Sequence, residues 1–189
     1  MKFKFLLIAC CIVGIPAIAQ VEPGIKIGGN IADLYSDRSS SHTKVGLHVG
    51  ALAHIHLSDR FALQPELVYS RQGAKSKASG NDIKVHLDYL NVPVLIQYMF
   101  NNGLRIQTGP QLGFMLSAKA EIGNESENVK DRYNSIDLSL PIGVGYITES
   151  GFGVDARYVL GLSNVNEDDD NKVTNRVLQL GVFYQFGPR

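Results

Sequence analysis

From residue 24 onward, apolar and polar side chains alternate with a period of two residues, and this alternation constrains the fold more than any other feature of the chain. In residues 152–162 every second side chain from Phe152 to Leu162 is apolar, whereas Asp155 and Arg157 fall between them. Because successive side chains of a strand point to opposite faces of a sheet, this period predicts strands with one apolar face. The chain is therefore predicted to be all-β.

Eight segments follow this pattern and are predicted to be strands: residues 24–32, 44–57, 60–71, 84–100, 103–118, 136–148, 152–162 and 176–186. The segment 84–100 is the least regular, because Leu87, Tyr89 and Leu95 share the face of Gln97. Two explanations stay open. Either these apolar side chains point to the polar side of the sheet, or a β-bulge shifts the phase.

The connections between the strands alternate between short and long along the chain. Short turns at 58–59, 101–102 and 149–151 alternate with long polar segments at 33–43, 73–83, 120–134 and 163–173. Short turns at one end and long loops at the other are typical of outer-membrane barrels, whose strands number eight or more. The sequence therefore predicts an all-β fold, an eight-stranded antiparallel up-and-down transmembrane β-barrel with both termini in the periplasm.

A closed barrel explains which face is apolar. In lipid, unpaired backbone groups cost several kcal/mol each, so only a closed ring of strands is tolerated and its apolar side faces the lipid. Aromatic side chains near the predicted strand ends should form girdles at the membrane interfaces. These are Tyr35, Tyr69, Tyr98, Phe100, Phe152, Tyr184 and Phe186.

The N-terminal segment is predicted to be a signal peptide. Lys2 and Lys4 precede an apolar run over residues 5–15, and Ala17-Ile18-Ala19 has the small residues that signal peptidase requires. We expect cleavage after Ala19, which leaves residues 20–189 as the barrel domain and removes both cysteines. The alternative is a lipoprotein signal with acylation of Cys10.

Charge and hydropathy exclude other classes of protein. The chain has 18 basic and 18 acidic residues, and a nucleic-acid-binding protein usually has a basic excess on one face. Beyond Gln20 there is no run of 18 apolar residues, so no membrane-spanning helix is predicted.

Charged and amide side chains on the polar face are predicted to form a structural network in the lumen. Because an eight-stranded barrel is only wide enough for side chains to fill it, we expect them to pair and close the lumen; a proton or ion path is the alternative. The predicted network consists of Lys26, Glu66, Arg105, Gln111, Asp155, Arg157 and Gln179.

Three other clusters resemble binding sites without matching one closely. His48, His54 and His56 share the lumen face, but no cysteine or acidic third ligand follows at metal-site spacing. The acidic segment 164–171 offers oxygen ligands for calcium without the EF-hand layout, so a solvated loop is favoured. We therefore expect no metal and no cofactor. Lysines in the loop 75–84 are candidates for contact with lipopolysaccharide phosphates: Lys75, Lys77 and Lys84.

No catalytic motif is evident. His86 and Asp88 share a strand face, with Ser70 or Ser117 as possible nucleophiles, but the chain has no G-x-S-x-G or comparable motif. We therefore expect a non-enzymatic protein. A lipid-modifying enzyme of the outer membrane and a ligand-binding periplasmic barrel are the alternatives.

Five ordered motifs carry a family resemblance: LQPELVYSRQGA (63–74), LDYLNVPVLIQYMF (87–100), TGPQLGFML (108–116), IDLSLPIGVGY (136–146) and DARYVLGLSNV (155–165). Together they resemble the PorT-type outer-membrane β-barrel proteins of Bacteroidetes, also called a porin family. The resemblance implies an eight-stranded barrel in the outer membrane of a Gram-negative bacterium. For a non-enzymatic barrel of this kind, we expect a role in envelope structure, surface interaction or secretion-system assembly. The expected partners are outer-membrane lipid and lipopolysaccharide, the barrel-assembly machinery and unknown secretion-system or surface partners.

Overall fold

The computed structural model describes residues 21–36, 42–78, 81–122, 125–165 and 173–187. These residues form ten β-strands and one 3-10 turn: β1 (Val21–Ser36), β2 (His42–His56), β3 (Phe61–Ala78), β4 (Asn81–Met99), β5 (Leu104–Thr108), β6 (Gln111–Ile122), β7 (Glu125–Asn128), the turn (Lys130–Arg132), β8 (Ile136–Ile147), β9 (Phe152–Gly161) and β10 (Val173–Gln185). In this part of the chain no helix is long and apolar enough to cross a bilayer.

The strands close into a ring. Each pairs antiparallel with its neighbour, and β1 closes the ring because it pairs both with β2 and with β10. β5 and β6 share one register against β4 and another against β8, so they are a single strand interrupted at Gly109 and Pro110. The short β7 pairs with the end of β6. The predicted fold, an eight-stranded antiparallel barrel, is confirmed.

The apolar face of each strand points outward. Val144 and Ile142 of β8 are each 50% exposed, whereas Asp137 and Ser139 of the same strand are buried inside the ring. The other seven strands of the ring have the same arrangement. The barrel therefore has an apolar exterior and a polar interior, which is the opposite of the arrangement in a water-soluble protein.

The two ends of the barrel differ. The tight turns at 58–59, 101–102 and 149–151 lie at the same end as the start of β1 and the end of β10, and we call this the short-turn end. Exposed aromatic side chains surround it, and several pack edge-to-face on each other. They are Phe61, Tyr98, Phe100, Tyr146, Phe152, Tyr184 and Phe186. The side chain of Tyr35, also predicted for a girdle, lies outside the described side chains.

At the opposite, long-loop end, the prediction of a loop at 73–83 is wrong for most of its length. β3 and β4 continue as a hairpin as far as the pair Ala78 and Asn81. Likewise, the segment 120–134 contains the end of β6 and the whole of β7. Along these extensions apolar and polar residues no longer alternate regularly in the sequence, so the two-residue hydrophobic period is lost although the backbone pairing continues.

The irregular strand β4 keeps its phase. Leu87, Tyr89 and Leu95 all point inward and are at most 1% exposed, so the first of the two explanations is correct. A register shift opposite Tyr89 falls on the neighbouring strand, where β6 has one extra residue between Met115 and Ser117. Beyond this bulge Ala118 instead of Ser117 takes the inward position.

Four prolines lie at similar heights on adjacent strands of the wall. Pro65 pairs with Val94 on β4, and the adjacent Pro93 pairs with Gln111. Two further prolines, Pro110 and Pro141, continue the series. A proline removes a backbone donor but keeps its carbonyl, and the Pro110 carbonyl still accepts a 2.9 Å bond from the Val94 amide. The barrel wall therefore lacks some backbone hydrogen-bond donors at this height, but its strands remain paired.

Candidate functional site

Four charged side chains meet at the centre of the lumen. Arg157 of β9 donates two hydrogen bonds to the Glu66 carboxylate of β3, at 2.7 and 2.6 Å, and lies 2.9 Å from an Asp155 oxygen. Lys26 of β1 donates to Asp155 at 2.9 Å and lies 3.6 Å from Glu66. We call these residues the ion quartet. It holds two positive and two negative charges, so the group is neutral as a whole.

Burial makes this neutrality necessary. The side chains of the ion quartet are at most 4% exposed. An unpaired charge at such a depth costs several kcal/mol, and good geometry with additional hydrogen bonds offsets that cost. Glu66 meets the condition, since Gln64 donates to it at 2.7 Å in addition to the two bonds from Arg157.

Glycines on the neighbouring strands make room for these long side chains. A Cβ atom on Gly181 would lie 2.9 Å from the Asp155 carboxylate, and one on Gly143 would lie 2.7 Å from Cγ of Arg157. The interior of an eight-stranded barrel is narrow, so an inward glycine beside each large polar residue lets the side chain cross the lumen. The strand register places each of these glycines beside a charged residue, and the spacing along the sequence does not predict this.

The other three predicted network residues lie outside the ion quartet. Arg105 connects to it indirectly: Arg105 donates to Gln97, which donates to Gln107, which also accepts a 3.4 Å bond from Arg157. Gln111 instead donates to Ser139 at 2.9 Å. The remaining residue, Gln179, donates to Asn30 at 3.2 Å, and no described hydrogen bond joins it or Gln111 to the ion quartet.

Sequence reasoning missed several residues of this network. Asn30 accepts from Gln179, is 2.8 Å from His48, and donates to Ser70 at 2.9 Å. The available signal was the inward parity of each strand, which marks every polar residue that faces the lumen. The missed side chains are Asn30, Gln64, Ser70, Gln72, Asn91, Gln97, Gln107, Asp137, Ser139, Asn175 and Gln185.

An apolar cap fills one side of the lumen at the long-loop end. It is a buried cluster of side chains from β4, β6 and two connecting segments, with partly buried Tyr133 packed against it. The two segments are bonded to each other, since the Asn134 amide donates to the Val165 carbonyl at 2.9 Å. The cap consists of Leu87, Tyr89, Met115, Ala118, Val129 and Val165. It shares this height of the lumen with the buried polar side chains of Lys44, Gln72 and Asn175.

The histidines do not assemble a metal site in the described part of the chain. His48 and His54 are buried and lie on the lumen face, and the ring of His56 packs edge-on against His54 with centroids 4.7 Å apart. Among the residues described, no three His, Cys, Asp or Glu side chains are grouped to hold a metal ion. Residues 166–171 of the proposed calcium segment lie outside the described residues.

Residues of the enzyme alternative are divided between the two faces of the barrel wall. Ser70 is buried in the lumen, whereas His86 lies on the outer face, 3.2 Å from Glu121. Asp88 accepts a 3.0 Å hydrogen bond from Arg71 and so is paired with a cation instead of with His86. Ser117 pairs with Asp88 in the register on the same outer face, and no described hydrogen bond joins it to His86.

Comparison with known proteins agrees with this architecture. Residues 18–167 match the model of a family described as the outer membrane protein beta-barrel domain. The chain is similar in fold to the crystal structure of neisserial surface protein A, with a TM-score of 0.61 and 20% identity over 87% of this chain and 97% of that one. It is also similar to Ail, the attachment invasion locus protein of Yersinia pestis, with a TM-score of 0.56 and 19% identity over 88% and 99% of the two chains. No curated protein matches the sequence significantly.

Proposed function

Because the chain belongs to the outer membrane protein beta-barrel domain family, we propose that this outer-membrane protein acts through its exposed surfaces and not through its lumen. The ion quartet is the observation that carries the proposal. Its four side chains, from β1, β3 and β9, are linked by hydrogen bonds and ion pairs and fill the middle of the barrel. We therefore assign a structural role to the lumen network.

Two further features support a closed lumen. The apolar cap fills one side of the lumen at the long-loop end, and water-filled channels are typical of barrels with about 16 strands or more. Between Lys44 and Asn175 at one end and His54 and Gln185 at the other, the polar lumen side chains of the described strands are also almost inaccessible to solvent. A protein of this kind contributes to envelope structure, surface interaction or secretion-system assembly.

We further assign the chain to the PorT-type barrels of Bacteroidetes, on the motifs quoted above, with both termini in the periplasm and the signal peptide removed after Ala19. The difference in length between the connections at the two ends supports this orientation. In support of a surface role, the similar structures belong to proteins named for the cell surface and for attachment and invasion, and Ail has been crystallised with the heparin analogue sucrose octasulfate.

Planar-bilayer conductance tests the closed lumen. We expect the folded barrel, inserted at protein levels at which a 16-stranded porin gives clear current steps, to give none. The matched variant Glu66→Ala with Arg157→Ala removes the centre of the ion quartet, so any current steps should appear in this variant and not in the unaltered protein. Steady current steps from the unaltered protein would refute the proposal.

The enzyme alternative has its own discriminating test. Hydrolysis of labelled lipid A or phospholipid that disappears in a His86→Ala variant would show a lipid-modifying enzyme. The arrangement of the outer face argues against this activity, because Asp88 is paired with Arg71 and not with His86. Extraction of the native protein without detergent would instead favour the ligand-binding periplasmic barrel.

A further inference from the structure

The outer face of the strand extensions carries a compact group of basic side chains. Lys75 of β3 lies directly opposite Lys84 of β4, and both are exposed. Lys119 of β6 pairs with His86, the outward neighbour of Lys84. Because directly opposed Cβ atoms lie about 5 Å apart and diagonal positions about 7–8 Å apart, the three ammonium groups share one small surface. We call Arg71, Lys75, Lys84 and Lys119 the basic patch.

Nearby carboxylates neutralise only part of this charge. Asp88 is bonded to Arg71 at 3.0 Å. Glu121 lies opposite Lys84 and 3.2 Å from His86. Among the side chains that the structure describes on this face, four cationic groups therefore lie near two carboxylates. Like charges placed directly opposite each other destabilise a sheet, so Lys75 and Lys84 favour a ligand that brings negative charge between them.

The position of the basic patch relative to the apolar band identifies that ligand. Outward residues immediately below it are apolar: Leu67 is 51% exposed and Leu116 is 50% exposed. Arg71 follows Leu67 and Tyr69 as the next outward residue of β3, so it marks the point at which the lipid-facing band ends. The basic patch thus lies on the lipid-facing side of the wall, at the height where headgroups meet the hydrocarbon.

We propose that the basic patch binds the phosphate groups of lipid A in the outer leaflet. A headgroup fits better than a soluble polyanion because the lysines point sideways from the wall, toward neighbouring lipid, and not up into the solution. The inference rests on the proposed orientation, with the long-loop end outside the cell. It refines the proposed surface role by naming the chemistry of one partner.

Native mass spectrometry of the folded barrel in a neutral detergent tests the proposal, with bisphosphoryl lipid A as the probe. Since each basic side chain near an anionic surface contributes about fivefold in affinity, Lys75→Gln with Lys84→Gln should weaken binding about 25-fold. Lys75→Arg with Lys84→Arg should retain it. The matched control is Arg60→Gln, which removes an exposed cation at the short-turn end and should leave binding unchanged. Heat-modifiable migration on gels verifies that each variant is folded.

Several results would overturn the proposal: equal binding by the double glutamine variant, an equal loss in Arg60→Gln, or equal affinity for dephosphorylated lipid A. Binding of soluble inositol hexakisphosphate without binding of lipid A would also overturn it, in favour of a soluble polyanion. If the closed-lumen proposal is wrong instead, the protein will conduct ions while its lipid A binding is unaffected. The failures of the two proposals can therefore be told apart.

Discussion

Removing one member of the ion quartet should destabilise the barrel strongly, whereas removing an oppositely charged pair should not. Glu66→Gln keeps the size of the side chain but leaves Lys26 and Arg157 facing Asp155 alone, so the buried lumen gains one uncompensated positive charge. Arg157→Met has the opposite effect. The double variant restores neutrality, since the 2.9 Å pair of Lys26 and Asp155 remains.

The expected magnitude follows from the contacts. Arg157 and Glu66 share two short hydrogen bonds, at 2.7 and 2.6 Å, and neither side chain is more than 4% exposed. Breaking a buried pair by removing one partner costs about 3–5 kcal/mol, while replacing both partners is often close to neutral. We therefore expect about 3–5 kcal/mol of lost stability for each single variant. The double variant should lose clearly less than the sum of the two.

Reversible urea unfolding in phosphatidylcholine vesicles measures these free energies. The chain has no tryptophan, so the folded fraction is better followed by heat-modifiable migration on gels than by intrinsic tryptophan fluorescence. A double-mutant cycle then isolates the interaction between the two residues. If the losses of the single variants simply add in the double variant, the residues act independently and the reasoning about the ion quartet is wrong.

Two further predictions concern the wall and the orientation of the barrel. Val144→Asp places a charge on the lipid-facing surface and should abolish accumulation in the outer membrane. Gly145→Ala should be tolerated far better, because its new Cβ would lie 3.2 Å from Cγ of Arg105 and no nearer than 3.4 Å to the backbone, at the Val154 carbonyl oxygen; equal membrane levels of the two variants would contradict the assigned facing. Gly143→Ala should fall between them, because its Cβ would lie 2.6 Å from the Ala156 carbonyl oxygen of the wall. For the orientation, Ser126→Cys at the long-loop end should react with a membrane-impermeant maleimide on intact cells and Ser58→Cys should not; the reverse pattern would show that the barrel has the opposite orientation.

The alternation of side chains allowed most of the wall to be predicted. In β9, Val154 and Tyr158 point outward and Asp155 and Arg157 inward, as their parity requires, because a strand leaves only two directions for a side chain. The parity of apolar residues did not predict which way a side chain faces where the environment of the strand changes. Leu87 and Tyr89 are apolar yet face inward, since the apolar cap gives them a dry environment inside the barrel.

The interior was predictable as a set of inward residues but not as a set of contacts. Lys26, Glu66 and Asp155 are far apart in the sequence, and neither their spacing nor their charge indicates which will meet. The stagger between strands and the inward glycines decide this, because they set the height of each side chain and the space it can cross. The basic patch was only partly visible from the sequence: the lysines of 75–84 were evident, whereas Lys119 joins them only through the pairing of β4 with β6.

The sequence by itself determined the number of strands in the wall, the direction that most side chains face and the contrast between short and long connections. These properties follow from local alternation and from the need to satisfy every backbone hydrogen bond in lipid. Only the tertiary structure decided which charges neutralise one another, where the apolar cap lies in the lumen and which lysines share a surface. Those outcomes depend on register, and register is a relation between strands that no single segment contains.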